Sequence, residues 1–260
     1  MDAEIYLDNN SFIHRLDPRT KIIIFLLTFV AILLFEKPLW MLPVAFLVLL
    51  QLLVSGSFRN LRRIRYILIV LTISSFILWN LFSKGVTPIF WRITVESLEY
   101  SIARTLLMIL MISTGMILIS TTRNEELVNG MIRLGMPYRV GFAISTALRL
   151  VPTIASSTLT ISQAQRSRGL DLDSGNIKDR IRKFLPLLVP VFISTIRSTN
   201  IFGMALESKG FGARKDRSFY LQLKMRTVDY IILAFAILFM LASIYFAVMG
   251  FGKIPGLTRF

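Results

Sequence analysis

The sequence predicts an all-α integral membrane protein with about five transmembrane helices, plus long cytoplasmic or interfacial helices inserted before the last span. Three observations predict it. The 260 residues are 54% hydrophobic, with a mean hydropathy of +0.65, above the apolar share of an ordinary soluble domain. The apolar residues gather in long, nearly uncharged runs, as they do in polytopic membrane chains. Lys and Arg number 30 against 15 Asp and Glu, a net charge of +15, and they collect in alternate loops as positive-inside topology requires.

Taken in order, residues 1–20 are polar and include Asp2, Glu4 and Asp8. No small-residue cleavage site follows the first apolar run, so that run is expected to stay in the membrane. It covers 22–35 and is short for a span. Glu36-Lys37-Pro38 breaks it, and 39–54 forms the second. A tight hairpin through Pro38 lets both cross, with tilt or local thinning absorbing the mismatch. A basic loop over 55–65 (Arg59, Arg62, Arg63, Arg65) precedes the third span, 66–82, whose Trp79 suits an interface. A loop over 83–97, with Gly85, Pro88, Trp91 and Arg92, leads to the fourth span, 98–119. Arg104 lies in the first turns of that span, within snorkelling reach of the interface.

Beyond residue 120 the charge density rises while helical periodicity persists. Thr122 or Asn124 is placed to cap a short helix that begins with Glu125-Glu126, acids suited to an N-terminal dipole. Gly135 ends it, and Pro137 suits the first turn of the next helix, which runs to Arg168 with Pro152 as its kink. A polar turn over 171–175 precedes a basic helix starting near Ile177, bent by Pro186 and Pro190 and ending at Lys209. A basic link, 212–226, joins the last span, 228–249. The chain thus divides into 1–120 (a membrane domain of four spans), 121–226 (a cytoplasmic helical region) and 227–260 (a span and tail). With five spans, the N-terminus, the 55–65 loop and 121–226 share one side, the cytoplasmic one; Lys253 and Arg259 fall outside.

Residues 140–162 and 184–204 are apolar enough to span, yet carry Arg149 and Pro152, or Pro186, Pro190 and Arg197. A charge at mid-bilayer costs at least about 2.5 kcal/mol, so helices lying at the interface account better for the mixture.

The composition also excludes chemistry. There is no cysteine and one histidine, His14, so disulfides, thiolate metal sites and His-paired nucleophiles are not expected. In so apolar a chain the positive charge points to anionic lipid, not nucleic acid. No G-x-x-x-x-G-K-(S/T) stretch is present, so a phosphate-cradling loop is missing. Met108, Met111 and Met116 read as packing, and Glu96 and Glu99 as a loop-to-helix entry.

One phrase occurs twice: Ala164-Gln165-Arg166-Ser167-Arg168-Gly169-Leu170 and Ala205-Leu206-Glu207-Ser208-Lys209-Gly210-Phe211. Both fit Ala-x-x-Ser-cation-Gly-apolar and close a long helical pattern. A glycine C-cap with a dipole-matched cation explains each copy locally. It does not explain the matching Ala and Ser. Small residues flanking a cation let a helix end enter a groove while a long side chain reaches an acid. Two such ends make a two-point handle on a dimeric or two-lobed partner, and if both helices spanned, the ends would fall on opposite faces of the membrane.

These residues carry a resemblance to the T component, the transmembrane scaffold subunit, of energy-coupling factor (ECF) transporters. The chain is similar to that family at Ser11-Phe12-Ile13-His14-Arg15-Leu16-Asp17-Pro18-Arg19-Thr20-Lys21, at Leu148-Arg149-Leu150-Val151-Pro152-Thr153, and at both copies of the phrase. The family's coupling motifs, usually Ala-Arg-Gly-like, fall on Ser167, Arg168 and Gly169 and on Ser208, Lys209 and Gly210. Ser for Ala is a small-for-small change; Lys209 for Arg exchanges a planar fork for a point charge. The resemblance implies supporting roles for Ala164, Arg166, Ala205, Glu207, Arg149 and Pro152. It also implies an N-terminal family motif of His14, Asp17, Pro18 and Lys21.

It further implies a non-catalytic subunit of a prokaryotic cell-membrane importer that binds no cofactor, the ATP and Mg belonging to two partner ABC ATPase subunits. Their motions would be transmitted to a substrate-binding S component that carries a vitamin or a transition metal such as cobalt or nickel. Two rivals are a self-sufficient permease, which needs polar groups facing substrate within the spans, and a membrane enzyme, which needs clustered acids or a nucleophile–base pair.

Overall fold

The computed structural model describes residues 11–83, 86–90, 93–170, 177–213, 225–252 and 254. The acids at 2, 4 and 8, residues 85, 91 and 92, the turn at 171–175, most of the 212–226 link, and the tail cations at 253 and 259 lie outside them. The described residues form helices α1 (Pro18–Leu33), α2 (Pro38–Ser55), α3 (Phe58–Arg63), α4 (Arg65–Phe82), α5 (Val95–Thr121), α6 (Asn124–Arg133), α7 (Tyr138–Ser167), α8 (Ile177–Ser208) and α9 (Thr227–Val248). A short antiparallel pair, β1 (Pro88–Phe90) and β2 (Ile93–Thr94), joins α4 to α5. The all-α membrane class holds. Two compact units are present: Met1–Pro137 with Leu223–Phe260, and Tyr138–Gln222.

The first unit is built on α5. Ala103, Leu110 and Ile117 recur every seven residues along it and meet Met41, Val44, Val48 and Leu52 of α2, with Ala31, Ile32 and Phe35 from the α1 end completing the core. Seven-residue spacing keeps one seam facing a neighbouring helix. Buried Ser and Thr on α5 let neighbours approach closely. Several of their hydroxyls are satisfied within the helix, Ser113 and Thr114 donating to the carbonyls of Ile109 (2.7 Å) and Leu110 (2.6 Å), while Ser120 accepts from Asn60 of α3 at 2.8 Å.

Among the described residues, six helices are long and apolar enough to cross a membrane: α2, α4, α5, α7, residues Phe184–Ser208 of α8, and α9. The expected first span is the exception. Between the Asp17 cap and Glu36-Lys37-Pro38, α1 has 16 residues, roughly 24 Å of rise against a core of about 30 Å. It nevertheless packs among α2, α5 and α9, so its neighbours place it with the spans. The two segments α7 and Phe184–Ser208 are the least apolar of the six, in keeping with their Arg and Pro content.

Local details differ from expectation at two places. Neither Thr122 nor Asn124 caps α6: Arg123 holds the N-cap position without a side-chain capping bond, and Asn124 is already helical. Its first turn does carry Glu125 and Glu126, and α6 packs on α1. Arg104 leans on aromatic rings, its Cζ 4.8 Å from the Tyr100 centroid and 5.7 Å from that of Trp79. Glu96 does serve the helix entry, its carboxylate accepting from Thr87 N (3.2 Å) and Oγ1 (2.8 Å).

Candidate functional site

The two copies of the repeated phrase adopt one geometry. At the end of α7, Gly169 N donates to Arg166 O (3.0 Å) and Leu170 N to Gln165 O (3.1 Å), with Gly169 at φ +89°. At the end of α8, Gly210 N donates to Glu207 O (2.9 Å) and Phe211 N to Leu206 O (3.0 Å), with Gly210 at φ +72°. This paired pattern satisfies the last orphan carbonyls and needs a left-handed residue that glycine supplies without strain. The serines behave alike: Ser167 Oγ donates to Gln163 O and Ser208 Oγ to Ala205 O. Ser167, Arg168, Gly169, Ser208, Lys209 and Gly210 are all exposed, as are Ala164, Arg166, Ala205 and Glu207.

The same cap closes two other helices, which separates what is generic from what is not. Gly135 and Met136 bond Ile132 O and Met131 O at 3.1 Å each, and Gly250 and Phe251 bond Ala247 O and Phe246 O at 3.1 and 3.3 Å. In those helices the residue before the glycine is Leu134 or Met249. The glycine, then, is a helix stop. The cation before it, thrust out at the carbonyl end of a helix whose dipole it complements, is what the two phrases add.

Within the Tyr138–Gln222 unit, α7 and α8 pack on one another. The apolar residue ending the second phrase, Phe211, lies 4.4 Å from the ring centroid of Phe142 and 6.4 Å from that of Tyr138, both in the first turns of α7. Lys209 is therefore at the start of α7 and Arg168 at its end, separated by a helix of 30 residues, about 45 Å of rise. Arg149 and Pro152 sit midway along α7, both exposed. No apolar side chain of α7 or α8 is buried among the described residues; Leu148, Val151, Leu159, Phe184, Phe192 and Ile196 are among the large ones left exposed. The Phe211–Phe142 pairing was foreshadowed only by the apolar residue that closes each phrase.

The N-terminal motif is a knot in the other unit. Asp17 caps α1, accepting from Arg19 N at 2.9 Å, and Arg19 Nε stands 3.8 Å from the same carboxylate. Pro18 begins α1 and lies against Gly130 of α6, where an added Cβ would meet Pro18 Cβ at 3.1 Å. Buried Lys21 donates to His14 O (3.0 Å) and Thr121 O (2.7 Å), tying the incoming chain and the end of α5 to α1. Ser11 Oγ meets His14 Nδ1 at 2.6 Å. Sequence reasoning missed Asp229. Almost fully buried, it accepts from Asp17 N (3.0 Å) and Arg226 N (2.8 Å), so α9 is anchored to the start of α1. An acid in the first turn of the most apolar span was the available signal. Among the described residues no group of three His, Asp or Glu side chains is placed to hold a metal.

Comparison with known proteins agrees along most of the chain. A family model described as cobalt transport protein (CbiQ) matches residues 9–221. The chain is 34% identical to the energy-coupling factor transporter transmembrane protein EcfT of Thermosediminibacter oceani, covering 86% of this chain and 89% of that one. It is 33% identical to the Staphylococcus aureus protein of the same name (89% and 91% covered) and 31% to that of Lactococcus lactis (86% and 89%).

Proposed function

The chain belongs to the CbiQ/EcfT family of ECF transporter transmembrane proteins, and from that premise we propose that it is the non-catalytic coupling subunit of an ATP-driven importer. The observation that carries this reading is the pair of exposed cations, Arg168 and Lys209, on identical glycine caps at opposite ends of α7. Each helix end enters a groove of one ABC ATPase subunit, where its cation meets an acid, so that the two ends engage a homo- or heterodimer. ATP and Mg are held by those partners, and this chain contributes no cofactor site.

When the ATPase pair closes and opens, the two grips move apart and together, and α7 and α8 move with them. Their exposed apolar side chains offer a wide surface to a second membrane protein, the S component, which binds the vitamin or transition metal. A contact of Leu, Ile, Phe and Met has little directional bonding, so it permits the partner to tilt without breaking a fixed polar set.

The placement of the motifs also favours α7 and α8 lying along the membrane surface. Were α7 to cross the bilayer, Arg168 and Lys209 would stand on opposite faces and could not reach one soluble dimer. Exposed Arg149 and Arg197 suit an interfacial helix as well. The N-terminus and residues 121–226 are then cytoplasmic, in the cell membrane of a prokaryote, with the basic loops against anionic lipid.

The test is extraction of the tagged chain in mild detergent and identification of what accompanies it. Two ATPase subunits and one small membrane protein are expected. Uptake of substrate by the purified chain alone in liposomes, or ATP turnover by it, would overturn the reading.

A further inference from the structure

Arg104 stands nine residues beyond Val95, the start of α5, roughly 14 Å along the axis, in a helix long and apolar enough to span. A guanidinium at such a position ordinarily finds a counter-charge or carbonyl partner. Arg104 is half-buried, its Nε is buried without an acceptor, and it makes no hydrogen bond or ion pair with any described residue. The nearby acids do not serve it. The Glu96 carboxylate is held by Thr87, and Glu99, five residues back, lies on another face of the helix.

What surrounds it is aromatic. Tyr100, one turn earlier and buried, and Trp79 of α4 lie edge to face at 5.4 Å, with Cζ of Arg104 over both rings. Helical side chains lean towards the helix N-terminus, so the guanidinium is carried back to the level of Tyr100, towards the β1–β2 end. Rings stacked on a guanidinium satisfy its faces and leave the planar N–H edge for an acceptor.

We propose that Arg104, caged by Trp79 and Tyr100, receives the phosphate of an anionic phospholipid at the β1–β2 end of the α4–α5 pair. The surroundings select a lipid. No residue of α4 is buried, and Ile73, Ile77 and Leu81 on it are exposed apolar side chains that acyl chains would cover. Trp and Tyr mark headgroup depth, and a guanidinium fork matches a phosphate in a two-point contact.

The full chain in detergent is titrated with phosphatidylglycerol, and bound lipid is counted by native mass spectrometry. R104Q is expected to lose one tightly held lipid, with affinity at that site at least about tenfold lower. R104K, which keeps the charge without the fork, falls between. Equal binding by parent and R104Q overturns the proposal. Where R104Q does not fold, phenylglyoxal labelling of the parent decides. Arg104 is protected in phosphatidylglycerol nanodiscs and labelled in neutral galactolipid nanodiscs; equal labelling in both overturns the site. Protection that follows a co-purified membrane protein irrespective of lipid makes a protein carboxylate the acceptor, and also overturns it.

Discussion

Arg168 and Lys209 occupy the same cap position with different chemistry. Arginine presents a rigid fork that can hold a carboxylate at two points, whereas lysine offers one strongly hydrated charge. Arg168→Ala should therefore reduce retention of ATPase subunits more than Lys209→Ala, and Lys209→Arg should increase it, as read by quantitative pull-down. Gly169→Ala tests the other half of the phrase. It forces a Cβ into a left-handed conformation at a cost of about 1–2 kcal/mol and should speed amide exchange at residues 169 and 170. Arg168→Ala leaves both cap bonds in place and should leave that exchange unchanged. A shift in both together would mean that cap and grip are not separable.

At the scale of elements, the knot at the start of α1 is the part of the fold most open to disruption. Asp229→Ala removes the acceptor of two backbone N–H groups, those of Asp17 and Arg226. It should cost about 2 kcal/mol, seen as a lower unfolding temperature in detergent, with Asp229→Asn costing less. The sequence made α2, α4, α5 and α9 legible because an apolar run of span length has few other folded uses. It made the glycine stops at Gly135, Gly169 and Gly210 legible because those are local. It could not show that Lys21 would bond Thr121, 100 residues away, or that Asp229 would bond Asp17, since those partners are chosen by packing. Arg123, rather than Thr122 or Asn124, at the start of α6 is a boundary of one residue, a scale at which helix ends fray.

For the whole molecule, the contrast between the two units carries the account. The Met1–Pro137 and Leu223–Phe260 unit has a buried seam of Met41, Val44, Val48, Ala103, Leu110 and Ile117. In the α7–α8 unit, no described apolar side chain is buried, so its apolar surface must be covered by bilayer or by other chains. The doubled phrase was visible in the sequence, but the placing of its two copies was not, because it depends on Phe211 meeting Phe142 across 69 positions. That placing sets two similar helix ends apart, as the proposed two-point grip on one partner requires. The measurement that bears on this most directly is the double reversal R168E/K209E, with ATPase subunits quantified on the affinity-purified chain. The account predicts that both ATPase subunits are lost while the purified chain keeps its helical content and unfolding temperature; undiminished retention would contradict it.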